Sequence, residues 1–149
     1  ETIRFTRALL WLLLTKRPGR AFVVPEDIRR ARNVLPGVSV ESDEYLWRID
    51  EAAQRFGRKV FVSAEPLVGP VHPDRREALV AWTITGGASG PQARRARLGW
   101  FRHLRDWSVA NGIPFHFKQW GEFDEHMVRV GRVRAGRELD GREWNERPQ

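Results

Sequence analysis

The feature that most constrains this chain is a regular alternation of short apolar, strand-like segments with helix-like ones. "LLWLLLT" (9–15) is a continuous apolar run, as expected of a strand covered on both faces. "PEDIRRARN" (25–33) opens with proline and acids, as a short helix does. "GVSV" (37–40) is a short strand, and Ser42 is placed to cap a helix over 43–56. In that helix Tyr45, Ile49, Ala52, Ala53 and Phe56 fall on one face, and Gly57 supplies a stop. "KVFVSA" (59–64) and "LVAWTIT" (79–85) read as strands, with at most one or two helical turns at "DRREA" (74–78) between them. "GGASGP" (86–91) is a turn. The spacing predicts a helix over 94–110 with Leu98, Phe101, Leu104 and Ser108 on one face, then a strand at "IPFHFK" (113–118). The tail, 127–144, reads as short extended segments with "DG" (140–141) as a hairpin turn.

Alternation of this kind predicts an α/β fold with parallel strands and right-handed crossovers. An open doubly wound sheet and part of a (β/α) barrel both satisfy it. The division expected is a barrel portion over 1–125 and a C-terminal extension, 126–149, packed on it. With 149 residues, 41% of them hydrophobic and including seven Trp and eight Phe, the chain can bury a core. No apolar run reaches the roughly 18 residues that a membrane span requires. No signal peptide is visible, and with no cysteine the chain forms no disulfide of its own; a cytoplasmic setting is expected. The first residue is Glu, which suits a fragment of a longer protein.

The polar residues collect at the C-terminal ends of the strands. The first ends in Thr15, Lys16 and Arg17, the second in Ser39, Glu41 and Ser42, and the third in Ser63 and Glu65. The fourth ends in Thr85, Gly86, Gly87, Ser89 and Gly90, the fifth in Lys118, Gln119 and Trp120. In parallel α/β folds these ends share one edge, and that edge carries the site. The strand bodies are almost wholly apolar by contrast. Glu65 stands out, because small residues precede it and Pro66 restrains the backbone after it. It is either a ligand-facing carboxylate or half of an ion pair with Lys16, Arg17 or Lys118.

Several chemistries are disfavoured. "GGASGP" offers backbone N–H groups to an anion but lacks the GK[ST] of a P-loop and the spacing of GxGxxG. His72, His103, His116 and His126 have no zinc-type spacing, so no metal site is expected, and no G-x-S-x-G elbow is present. His116 lies within a strand and is read as a core or surface residue that could face a barrel lumen.

The net charge is +7, and only three of the 26 basic residues are lysines. Arg94, Arg95, Arg97 and Arg102 cluster with Trp100 and Trp107 on the expected helix 94–110. Interleaved arginine and aromatics suit phosphates and stacked bases, so nucleic acid or another polyanion is an expected partner. A solvated face and the codon usage of a GC-rich genome explain the same residues.

Taken together and in order, "LLLTKRP", "GVSVES", "FVSAEPLVGP", "TGGASGP", "FHFKQWGEF" and "LDGREWNE" resemble an uncharacterised family common in phages and prophages. Its members look like radical-SAM-type barrels, and the resemblance covers roughly residues 9–147. It implies a partial (β/α) barrel, an upstream three-cysteine segment holding a [4Fe–4S] cluster, and S-adenosylmethionine as cofactor. It implies cofactor contacts for Ser39, Glu41, Ser63, Glu65, Gly86, Gly87 and Ser89, and substrate contacts for Lys16, Arg17, Lys118, Gln119 and Trp120. The setting implied is a phage-infected or prophage-bearing bacterial cell. Two departures matter. This chain has no cysteine, and Ala88 stands where relatives usually carry Glu. Two functions are therefore expected: the substrate side of a radical-SAM-like enzyme acting on nucleic acid or a nucleotide-derived substrate, or a non-catalytic barrel that binds nucleic acid or a host protein.

Overall fold

The computed structural model describes residues 2–6 and 8–148. A short helix, α1 (Thr2–Phe5), leads into β1 (Trp11–Thr15), a 3-10 helix over Pro18–Val23 and α2 (Glu26–Arg29). Then come β2 (Val34–Ser39), a 3-10 turn at Asp43–Tyr45, α3 (Trp47–Phe56), β3 (Val60–Ala64) and β4 (Val80–Gly86). The chain ends with α4 (Leu98–Ala110), β5 (Phe115–Gln119), α5 (Arg132–Ala135) and the hairpin β6 (Glu138–Leu139) and β7 (Arg142–Glu143).

The first five strands form one parallel sheet in the order β1-β2-β3-β4-β5. Strands paired in chain order are the arrangement of a (β/α) barrel wall; a doubly wound sheet would reverse direction part-way. The helices accordingly lie on one face. Ile49, Ala52 and Ala53 of α3 and Phe101 and Leu104 of α4 join one core with Val38, Val60, Val62, Phe115 and Phe117. The residues between these strand positions point the other way, since side chains alternate along a strand. Leu35, Phe61 and Trp82 form a separate small cluster there, packed with Ala81 and Ile84 and with no helix residue among its members.

The strand and helix pattern predicted from sequence is present, but β2 begins at Val34 rather than 37 and α2 ends at Arg29 rather than 33, and four further local corrections apply. Leu12 and Leu14 are 42% and 52% exposed, so β1 is an edge strand with one open face rather than a doubly covered one. Helix α4 begins at Leu98, not at 94. Ala96 is buried, and the chain reaches it extended, with Arg97 at φ −96°, ψ 136°. Tertiary burial thus overrides helix propensity over 93–97. Residues 74–78 form turns rather than helix. Ser42 precedes the 3-10 turn but makes no side-chain cap, and α3 starts five residues later.

The tail contains the expected hairpin, with Asp140 and Gly141 both at positive φ, and one unexpected helical turn, α5. It packs on the sheet's far edge. Phe117 N donates to Trp144 O at 2.9 Å, Glu146 N donates to Phe115 O at 3.2 Å, and Leu139 is fully buried. Asp140 receives Arg102 at 2.6 Å and also Arg105, which ties the hairpin turn to α4. Both arginines hold the Asp140 carboxyl below its ordinary range, Arg102 most strongly. Among the described residues no helix is long and apolar enough to cross a membrane.

Candidate functional site

Two carboxylates stand side by side at the C-terminal edge of the open face. Ser39 of β2 pairs with Ser63 of β3, so Glu41 and Glu65 each lie two residues beyond a paired position, on the same face. Their surroundings differ.

Glu41 is buried, and its carboxylate is held by Lys16 from the end of β1 and by Arg48 Nη1 of α3 at 3.0 Å. The same Arg48 nitrogen donates to Ser39 O at 2.8 Å, and the guanidinium lies 4.0 Å from the Tyr45 ring centroid. Burial by itself raises the Glu41 carboxyl. The hydrogen bond from Lys16, a local backbone hydrogen bond and the charges of Lys16 and Arg48 outweigh it, and the group ends below the ordinary carboxylate range. Its backbone carbonyl accepts from Val68 and Gly69 at 3.0 and 3.2 Å, which folds the loop after β3 against the end of β2. Glu41 is therefore committed on every side.

Glu65 is half-buried and follows β3; its peptide bond to Pro66 is cis. Its only charged contact among the described residues is Lys118 Nζ of β5, at 3.4 Å. Strand β4 runs between β3 and β5, so this pair must cross it. Gly86, the last residue of β4, makes the crossing possible: a Cβ there would sit 2.6 Å from Glu65 Oε1. Gly87 is needed for another reason. A Cβ on it would lie 1.8 Å from the carbonyl oxygen of Trp120, and its N–H donates to Gln119 O at 2.9 Å.

Glu65 and Lys118 border a cleft of about 540 Å³ that also takes in Ser63, Gly87, Ser89 and Arg94. Gln119 reaches its rim, with Nε2 3.4 Å from Ser89 Oγ. Lys118, Ser89 and Arg94 are exposed. The cleft thus has two cations, one carboxylate and two hydroxyls around a Gly-rich loop. A larger cleft, about 670 Å³, lies between β1 and the 3-10 helix 18–23. Leucines and valines supply much of its wall, and neither Glu41 nor Glu65 reaches it.

The remaining expected site residues go elsewhere. Ser39 and Glu41 belong to the buried ion cluster, and Lys16, exposed itself, caps that cluster while lining the larger cleft with Arg17. Arg17 is exposed at the start of the first crossover, its N–H donating to Thr15 Oγ1 at 2.9 Å. Trp120 is buried on the helix side, edge-to-face with Phe101 and Phe117, and its Nε1 donates to Glu138 O at 2.7 Å. Arg95 and Arg97 are exposed and lie over Phe123 and Trp100, while Arg102 is held by Asp140. Because α4 starts at Leu98, Arg94 and Arg95 lie outside the helix, while Arg97 is its N-cap residue.

Sequence reasoning missed Arg48, whose position on α3 looks like any solvent-facing arginine. It also missed Trp82 and Arg147, which need the strand faces and the path of the tail to be known.

Residues 1–148 match the DUF5131 family, described as proteins of unknown function. The chain is a member of DUF5131. No curated protein and no solved structure matches it. The family match spans the sheet, the Glu65–Lys118 cleft and the C-terminal hairpin alike.

Proposed function

We propose that this DUF5131 member binds a nucleotide-derived ligand at the C-terminal edge of the sheet's open face, in a barrel of radical-SAM-like ancestry. The observation that carries this is the Glu65–Lys118 pair laid across Gly86 at the border of an open cleft. Lys118 and Arg94 supply positive charge for a phosphate or another anionic group. Glu65, Ser63 and Ser89 offer acceptors and hydroxyls to ammonium or ribose groups. A nucleic-acid end is read the same way, through its terminal phosphate. A cytoplasmic setting in a bacterial cell carrying phage or prophage goes with this reading.

The two implied cofactors fare differently. A [4Fe–4S] cluster does not fit the donors present. The chain has no cysteine, and among the described residues no three His, Cys, Asp or Glu side chains are grouped to hold a metal. Thiolates for a cluster would come from another segment. S-adenosylmethionine fits the cleft better, with Ser63, Glu65, Gly87 and Ser89 as the residues to hold it. Bound there, and given one electron by a cluster held on another segment, it would release methionine and supply a 5′-deoxyadenosyl radical for hydrogen abstraction. This chain's own part is to bind and orient.

Calorimetric titration with S-adenosylmethionine, a nucleoside monophosphate and a single-stranded oligonucleotide tests the proposal. At least one binds, and Lys118→Ala or Arg94→Ala weakens the phosphate-bearing ligands about tenfold, the scale of one charge-assisted contact. Absence of binding by all three at low salt overturns it. The exposed Arg95 and Arg97 support a second reading, a non-catalytic nucleic-acid binder. That reading predicts oligonucleotide affinity with a steep salt dependence that survives Lys118→Ala but not neutralisation of Arg95 and Arg97.

A further inference from the structure

The open face holds a second cleft on the other side of the Glu65–Lys118 pair. It encloses about 550 Å³ between Leu12, Trp82, Ile84, His116, Lys118 and Arg147. Its floor is apolar, and its rim carries Lys118 and Arg147 together with the Glu65 carboxylate, which also borders the first cleft. The Trp82 and His116 rings meet edge to face, with centroids 6.1 Å apart. Trp82 Nε1 and His116 Nδ1 are both buried, and neither has a partner among the described residues. Burial first, then the positive charges of Arg147, Lys118 and Arg137, push the His116 imidazole below its ordinary range. It is neutral at pH 7 and so keeps one donor and one acceptor nitrogen.

We infer that this cleft takes the flat heteroaromatic ring of the nucleotide-derived ligand, with the ligand's phosphate at Lys118, where the two clefts meet. The inference rests on the reading of the edge as a nucleotide site and adds to it where the base goes. Three observations converge on a heteroaromatic ring rather than an alkyl chain. The wall residues Leu12, Trp82 and Ile84 present apolar surface, which favours a flat hydrophobic body. The Trp82 and His116 rings are part of the wall, and a flat aromatic ring can meet them edge to face or offset-stacked, a contact an alkyl chain does not reproduce. Lys118 and Arg147 place positive charge at the mouth, which suits an anion attached to that ring. Lys118 and Glu65 line both clefts, so a phosphate held by Lys118 at their junction lets the sugar and the base attached to it extend together toward Trp82.

The test compares adenosine 5′-monophosphate, adenosine and ribose 5-phosphate by calorimetry on the wild-type chain and on Leu12→Trp. Leu12 is exposed, so the larger neutral ring fills the cleft without disturbing the core; circular dichroism checks the fold. The expected result is at least tenfold weaker binding of ribose 5-phosphate than of the monophosphate. Leu12→Trp should weaken the monophosphate and adenosine tenfold or more and leave ribose 5-phosphate unchanged. If ribose 5-phosphate binds as tightly as the monophosphate, or if Leu12→Trp leaves the monophosphate unaffected, the base site is overturned while the phosphate-binding edge stands. If neither phosphate compound binds, the base site is overturned, and the nucleotide reading falls as well only if S-adenosylmethionine and the oligonucleotide also fail to bind.

Discussion

The two faces of one parallel sheet do opposite jobs here. On the helix side Val38, Val60, Val62, Phe115 and Phe117 are closed over by α3 and α4. On the other side Leu12 and Leu14 are exposed, and Glu65, Lys118 and His116 reach into open clefts. The same strands supply both faces by alternation, so a single register places the core and the site together. The contrast sets a helix-covered face that holds the main core against a face where a small buried cluster, Leu35, Phe61 and Trp82, is flanked by open clefts.

Substitutions can break or sharpen that contrast. The largest effect is expected at Phe101 and Gly87. Phe101→Ala empties a fully buried position and should cost about 3–5 kcal/mol in denaturant unfolding, whereas Leu14→Ala on the open face should stay within about 0.5 kcal/mol. Equal costs at the two positions would dissolve the distinction. Gly87→Ala drives a methyl into the Trp120 carbonyl, a backbone atom that cannot move aside, and should prevent soluble expression or lower Tm sharply. Gly86→Ala meets chiefly the end of the Glu65 side chain, with the Gln119 carbonyl oxygen at 3.3 Å, and should fold at a smaller cost, with the Glu65–Lys118 pair broken in a crystal structure. An intact pair in that variant would show that the crossing over β4 does not depend on the glycine.

Next come the two carboxylates. Glu41→Gln leaves the largely buried Arg48 without its counter-charge and should cost about 1–3 kcal/mol. Glu65→Gln breaks a pair whose lysine is exposed and should cost less than about 1 kcal/mol. A reversal of that order would place Glu65 in the core and Glu41 in the site. The Glu41 contribution has a pH signature. Its folded pKa lies below the unfolded one, so the stabilisation is complete above the unfolded value and is lost as pH falls through the folded value. Chemical denaturation between pH 6 and pH 3 should show that loss in the wild type and a smaller one in Glu41→Gln.

The smallest expected effect is at His116. Its folded pKa also lies below the unfolded one, but here the neutral form is the one that fits. Between the two values the unfolded chain binds more protons, so stability falls as pH drops from the ordinary histidine value toward the folded one. His116→Gln should flatten Tm between pH 7 and pH 5. An unchanged slope would show that His116 is not the titrating group.

Much of the fold was legible because alternating apolar segments and strand-end polar residues report directly on parallel strand–helix repeats. Glu65 and Lys118 were both visible as strand-end charges, and their pairing was one of the alternatives the residues allowed. What stayed hidden depended on tertiary choices. The exposure of β1 follows from its place at the sheet edge, which composition does not reveal. The start of α4 follows from burial of Ala96, against local propensity. Trp120 looked like a strand-end site residue, but the hairpin β6–β7 packs beside it and draws its indole N–H to Glu138. Arg48 needed the path of α3 beneath Glu41 to become recognisable.

The most direct test of the account is an amide NMR titration of the labelled chain with adenosine 5′-monophosphate. The account predicts saturable shifts at Ser63, Glu65, Gly87, Ser89 and Lys118 on the open face, with the amides of α3 and the second half of α4 unmoved. Shifts confined to α4 and residues 94–97, or no shifts at all, would contradict it.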